Sequence, residues 1–280
     1  MLRPLSELEG YTIGATDDTV GRVVDLYFDD RAWTLRYFVV ETGKWLASRK
    51  VLISPFSIGA PDRSDMILPA SITRDQVRNS PEMDTDRPVS RQQEEQYLGY
   101  YGYPNYWIGG GLWGPMAYPG GMMGGAMNGA PDLQDTQAWA ERHQHDDHHL
   151  RSGNAVRKYR IRATDGDLGH VQDMLVEDGT WTIRYLVVNT GHWWQGHAVL
   201  VSPRWISAVS WADETVSVNL TRDSIQAAPP YTMETQLDRI EEETLYKHYD
   251  REGYWDHQND RVQETVSQRA TPNQSRNTKV

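Results

Sequence analysis

The densest group of ligand-capable side chains in this chain of 280 residues is His143, His145, His148 and His149, with Asp146 and Asp147 among them. Neutral imidazole beside carboxylate suits zinc, nickel or copper. The spacing fits no closed structural site, so solvated linker is the stronger reading and the four histidines remain weak metal candidates. A second cluster, His192-Trp193-Trp194-Gln195-Gly196-His197, has the composition of a pocket. Four aspartates, Asp17, Asp25, Asp65 and Asp75, recur as Asp165, Asp173, Asp213 and Asp223. Paired carboxylates can do general acid–base work, but turns and helix capping account for these positions better. The chain has no cysteine, which excludes thiolate nucleophiles, disulfides and sulfur-ligated metal sites. No Gly-rich phosphate loop follows a strand pattern, and no serine sits in a nucleophile elbow. No catalytic residue and no cofactor is assigned.

The reason these residues recur is that the chain repeats. At an offset of 148 residues, positions 11–107 align with 159–255 without a gap, and roughly a third of the pairs are identical. The strongest segment is Trp33-Thr34-Leu35-Arg36-Tyr37-Phe38-Val39-Val40, which returns as Trp181-Thr182-Ile183-Arg184-Tyr185-Leu186-Val187-Val188. Two copies are too few for a solenoid, so each is expected to bury its own core. The repeat also weighs against the second cluster as a site. Its equivalent, Lys44-Trp45-Leu46-Ala47-Ser48-Arg49, carries no ligand. Arg22, Lys44 and Arg49 are replaced by His170, His192 and His197, so the second copy is expected to gain charge as pH falls while the first does not.

Within a repeat the signals are those of short strands. Tyr11 to Ile13, Val20 to Phe28, positions 33–41 and Val51 to Ile53 are apolar runs bounded by turn residues, with weaker strands near 56–59 and 65–69. Strand 33–41 alternates at its start and is apolar on both faces at its end, which suits a strongly bent sheet. Gly21 and Gly169 open strands that must bend, and Pro55 and Pro203 terminate strands, so all four are assigned structural roles. Ser90-x-x-Gln93 and Asp238-x-x-Glu241 read as helix capping boxes. Aromatic clusters follow each, ending in Tyr106-Trp107 and Tyr254-Trp255. The aromatics are expected to fold back over the sheet. Read instead as a partner-binding surface, the candidates are Trp45, Trp107, Trp193, Trp194 and Trp255.

A net charge of −11 argues against a nucleic-acid partner. Residues 96–131 are uncharged, but their Gly and Pro content rules out a lipid-exposed helix, and the segment reads as linker. The first residues show no apolar run of a signal peptide. The expected organisation is a first domain over 1–80, a helical and aromatic appendix over 81–107 and a flexible Gly/Tyr/Met-rich linker over 108–154. A second domain over 155–228, its appendix over 229–257 and a polar disordered tail over 258–280 follow.

The repeat resembles the PRC-barrel domain. The likeness rests on Ile13-Gly14-Ala15, Asp17, Val20-Gly21-Arg22-Val23-Val24-Asp25, the strand from Trp33 to Val40, Val51-Leu52-Ile53-Ser54-Pro55, and Arg87-Pro88-Val89-Ser90-Arg91 with Tyr106-Trp107. Repeat 2 keeps most of this but has Thr235-Gln236 in place of Arg87-Pro88. The resemblance implies a mainly β chain of two small, strongly bent antiparallel barrels that bind other macromolecules without catalysis. The expectation is a bacterial, cytoplasmic interaction or scaffold protein with a protein partner, whose two repeats dock on each other or dimerise. An accessory factor of a membrane-bound photosynthetic or electron-transfer complex is the alternative, and a metal-dependent enzyme is a remote one.

Overall fold

The computed structural model describes residues 1–60, 65–81, 89–108, 111–119, 149–191, 197–233 and 236–255. The first half contains β1 (Leu2–Pro4), α1 (Leu5–Leu8), β2 (Thr12–Gly14), β3 (Thr19–Asp29), β4 (Thr34–Glu41), β5 (Lys50–Ile53), β6 (Ile67–Pro69), α2 (Arg74–Arg78) and α3 (Arg91–Tyr101). The second contains β7 (Leu150–Ser152), α4 (Gly153–Val156), β8 (Arg160–Ala163), β9 (Gly166–Glu177), β10 (Ile183–Asn189), β11 (Ala198–Val201), β12 (Ile206–Ser210), β13 (Thr215–Val218), α5 (Arg222–Gln226), β14 (Pro230–Tyr231) and α6 (Arg239–His248). No helix among the described residues is long and apolar enough to cross a membrane.

The chain is mainly β, in two sheets. One runs β5-β4-β3-β2-β6, the other β12-β13-β8-β9-β10-β11-β14. Two expectations need correction. Neither sheet closes into a barrel among the described residues, and the pairs β2·β6 and β8·β13 are parallel. The reason lies in the long strands β3 and β9. The first half of each is flanked by its own repeat on both sides, while the second half runs past that neighbour. The exposed edge is then covered by the other repeat: β7 pairs with β3 at Tyr27–Asp29, and β1 pairs with β9 at Leu175–Glu177. An edge that would otherwise close a barrel, or invite aggregation, is thus taken by a strand exchanged between repeats.

The exchange is reciprocal and capped by carboxylates. Asp173 accepts from the backbone N–H of Ser6, at 3.3 Å, and from its hydroxyl. Asp25 accepts from the hydroxyl of Ser152 at 2.6 Å and the backbone N–H of Asn154 at 3.1 Å. These aspartates hold the N-termini of α1 and α4, each from the opposite repeat. At the centre of the seam the backbones of Trp33 and Trp181 meet. Leu35 N donates to Trp181 O at 2.8 Å, and Ile183 N to Trp33 O at 2.7 Å. Both tryptophans adopt positive φ, 48° and 58°, which a bulky residue holds only where its surroundings fix it. The buried side chains consequently form one continuous cluster instead of the two separate cores that the repeat suggested.

The exchange also moves two boundaries. Residues 150–154, placed by sequence in a flexible linker, form β7 and open α4, and residues 111–119 pack on the first repeat with Trp113 fully buried. The tail over 258–280 lies outside the described residues. Both capping boxes form, Ser90 with Gln93 and Asp238 with Glu241. Asp17 and Asp165 cap α2 and α5 by accepting from Arg74 N at 3.0 Å and Arg222 N at 2.8 Å.

Candidate functional site

Two β-bulges aim the side chains that build the site. In the β3–β4 ladder Tyr27 faces Tyr37 and Phe28 faces Leu35, so Arg36 is the extra residue. In β9–β10 Leu175 faces Tyr185 and Val176 faces Ile183, so Arg184 is extra. A bulge re-aims the side chain it carries, and each arginine turns onto the terminal tyrosine of its own appendix. The Arg36 guanidinium lies 3.8 Å from the Tyr106 ring centroid, and Arg184 lies 4.2 Å from that of Tyr254.

Beneath each tyrosine sits a buried glutamate from the capped helix. Glu94 accepts from Tyr37 at 3.0 Å, from Tyr106 at 2.7 Å and from Arg91 at 3.2 Å. Glu242 accepts from Tyr185 at 2.7 Å and Tyr254 at 3.0 Å and pairs with Arg239 at 3.1 Å. Burial and the neighbouring Glu94 push the hydroxyls of Tyr37 and Tyr106 well above the ordinary tyrosine value. Burial raises Tyr185 and Tyr254 likewise, with Glu242 close by. Burial lowers the Arg36 pKa, against the pull of Tyr106 and Asp29. The two buried carboxylates are thereby satisfied, as a buried charge requires, while Arg36 keeps one buried donor, Nε, without a partner.

The first repeat adds His149. Its Nε2 lies 2.8 Å from a Glu94 oxygen and 3.0 Å from the Tyr106 hydroxyl, while Nδ1 has no partner. His149 is therefore a member of the buried network, 2% exposed. His143, His145 and His148 lie outside the described residues, and among the described residues no three His, Cys, Asp or Glu come together as metal ligands.

The remaining candidates fall in two groups. Trp45 is half-buried, donates its indole N–H to Val20 O at 2.6 Å and carries Arg74 on its ring at 4.9 Å. Trp107 and Trp255 are half-buried, stacked under Arg91 at 4.0 Å and Arg239 at 4.1 Å, so the appendix aromatics fold back on the sheets. Trp193 and Trp194 lie outside the described residues. A Cβ at Gly21 would fall 2.0 Å from Glu41 O, and one at Gly169, at φ +57°, 1.8 Å from Asn189 O. Pro55 and Pro203 each open a 3-10 turn capped by the preceding serine, Ser54 or Ser202. Asp65 and Asp213 sit apart from the network, as does His197, whose carbonyl accepts from Thr190 at 3.1 Å. His170 is exposed opposite Asn189.

Sequence reasoning missed the seam between the repeats, where two clefts open. One has a volume of about 450 Å³ and is lined by Ala32, Thr182, Arg184, Arg204, Ala208 and Tyr254, among others. The other, about 640 Å³, is lined by Arg3, Ile58, Ala60, Tyr118, Pro119 and Asp178, among others. The recurrence of Ala60 as Ala208 and of Ile58 as Ile206 at one offset was the available signal. That Asp30 and Arg31 of one repeat face Ala208 of the other was not readable from it.

The fold is thus that of a small β-rich module, present as two strand-exchanged copies. The model of the PRC-barrel domain matches residues 3–67, within the first repeat. An uncharacterized protein of Deinococcus radiodurans is similar, at 34% identity over 97 residues. The aligned stretch covers 30% of this chain and 35% of that protein, so about two thirds of the relative lies beyond the match.

Proposed function

We propose that this chain is a non-catalytic interaction or scaffold module made of two tandem PRC-barrel-type repeats, with a protein as its partner. The observation that carries this reading is the seam. The buried carboxylates Glu94 and Glu242 are taken up by tyrosine hydroxyls and an arginine, whereas two open concave surfaces are clefts lined by both repeats. Clefts at an interface between folded units are where ligands and partners preferentially sit.

The test is a photo-crosslinking amino acid placed at exposed Ala208 and, separately, at exposed Tyr118 of the full chain, followed by mass spectrometry of adducts from host cells. Both sites should trap the same protein partner, in adducts that an uncrosslinkable excess of the chain competes away. Uncompeted, diffuse labelling at both positions counts against an interaction module.

A further inference from the structure

The cleft of about 450 Å³ is one half of a pair, and the other half is already plugged. In the first repeat the short segment Gly111–Met116 folds onto itself and inserts Trp113. Its indole packs against Phe56 at 5.0 Å and lies over the same face as Tyr106, at 6.4 Å. Arg36 sits 4.7 Å from its ring and donates to Leu112 O at 2.6 Å. The indole N–H crosses the seam to Thr180 O of the second repeat at 2.9 Å. Under the repeat offset these partners become Arg204, Tyr254, Arg184 and Ala32. All four line the cleft of about 450 Å³, and no side chain among the described residues stands where Trp113 would map.

We propose that this cleft is a receptor for a tryptophan side chain on an extended segment of a partner polypeptide, which rests on the interaction reading above and names its site. The partner's indole would meet Tyr254 edge to face and lie under Arg184, as Trp113 does with Tyr106 and Arg36, and donate to Ala32 O, as Trp113 does to Thr180 O. Thr182 supplies an independent sign. Thr182 is a lining residue whose buried hydroxyl has no hydrogen-bond partner, whereas the equivalent Thr34 hydroxyl donates to Ala32 O at 3.1 Å. A buried polar group without a partner is uncommon and marks a place where one is supplied from outside. The strand beside the cleft, β12, stands at the end of its sheet with Ser207 and Ala208 exposed, so an extended segment can pair with it while its side chain enters. The rim carries Arg31 and Arg204, one at each side of the seam, which favours acidic residues flanking the tryptophan.

The experiment titrates full-length protein into a fluorescein-labelled peptide with the sequence Leu-Trp-Gly-Pro-Met-Ala-Tyr-Pro, the chain's own 112–119, and follows anisotropy. A second peptide has two aspartates added before the leucine, and a third has alanine for tryptophan. Saturable one-to-one binding is expected, lost at least tenfold with the alanine peptide and with Ala208→Trp, a rim substitution at an exposed position. The aspartyl peptide should bind more tightly, with an advantage that shrinks as salt rises. Circular dichroism and melting check that Ala208→Trp folds, and Arg204→Glu, which should abolish the aspartyl advantage, serves where it does not. Absence of saturation up to millimolar protein, or binding indifferent to both variants, overturns the proposal. So does binding seen only in Trp113→Ala, where the peptide replaces the plug. An association between copies of the chain that Ala208→Trp abolishes assigns the cleft to a second copy and also overturns it. A crosslinked partner from Tyr118 with no peptide binding keeps the interaction reading and removes this site alone.

Discussion

Position 5 of one repeat and position 153 of the other are equivalent under the offset, and they meet at the seam where α1 and α4 approach. One is leucine and the other glycine. A Cβ built on Gly153 would lie 2.7 Å from Cδ2 of Leu5 and 3.2 Å from Leu26 O. Leu5 is fully buried, so its methyl cannot swing into solvent to make room. Gly153→Ala therefore overpacks the seam and should cost about 1–3 kcal/mol, more than the helix-propensity gain of alanine over glycine, ~1 kcal/mol at most. Leu5→Ala removes buried methyl groups and should cost about 2–5 kcal/mol. In the double variant the space vacated by Leu5 admits the new methyl, so the overpacking cost disappears. The combined loss should fall short of the sum of the single losses by about 1 kcal/mol or more, well outside the ~0.5 kcal/mol scatter of independent sites. Urea denaturation of all four proteins, with a common m value, gives the coupling energy. Losses that add within that scatter would refute the claim that the two helices meet at these side chains, and with it the fused seam.

Four further outcomes follow from the same geometry. Gly21→Val should destabilise the chain by a few kcal/mol, since its side chain cannot pass Glu41 O, and Gly169→Ala should do the same at a left-handed φ; an unchanged urea midpoint for either contradicts the close approach. Trp113→Ala, which empties a fully buried site, should cost about 3–5 kcal/mol and make the seam accessible to limited proteolysis; resistance equal to the unaltered chain contradicts the plug. Fragments 1–108 and 149–257, each lacking the strand that completes its sheet, should be poorly folded alone and form a one-to-one complex when co-expressed; two stable monomers would mean that the exchanged strands are dispensable. Tyr37, Tyr97 and Tyr106 have folded pKa values raised by burial above the unfolded value near 10. The neutral form is therefore favoured in the fold, stability is unaffected below pH ~10, and it is lost above that as the unfolded chain ionises first. These three alone contribute about 4 kcal/mol per pH unit to that loss. Part of the tyrosinate absorbance should rise only together with the loss of far-ultraviolet dichroism, and ionisation of all 15 tyrosines in an intact fold contradicts the buried networks.

The sequence by itself determined much of the local structure. The strand from Trp33 to Val40, the capping boxes and the turn at Ser54-Pro55 are set by neighbours within a few residues, and each is found in place. Burial of the end of this strand on both faces was legible too, but not that of Thr34 and Arg36 on the polar side of its start, where a bulge turns Arg36 onto Tyr106. Asp25 and Asp173 stood out by recurrence, yet their partners lie 127 and 167 residues away, and no local pattern points there. His149 read as one of four histidines in a polar run, while its immediate neighbour Leu150 begins the strand that carries it into a buried pair with Glu94.

What only the tertiary structure decided is which repeat each terminal strand completes. A strand of three residues such as Leu2–Pro4 or Leu150–Ser152 carries too little pattern to name its partner. Its place is fixed by an unpaired edge on a long bent strand and a carboxylate positioned to receive the helix that follows. Because the exchange is mutual, the two copies share one core, and the seam between them forms the clefts. Those clefts depend on pairs of side chains set by packing and not by spacing along the chain, so a sequence repeat could announce two equivalent surfaces but not that one of them holds Trp113 while the other is open among the described residues.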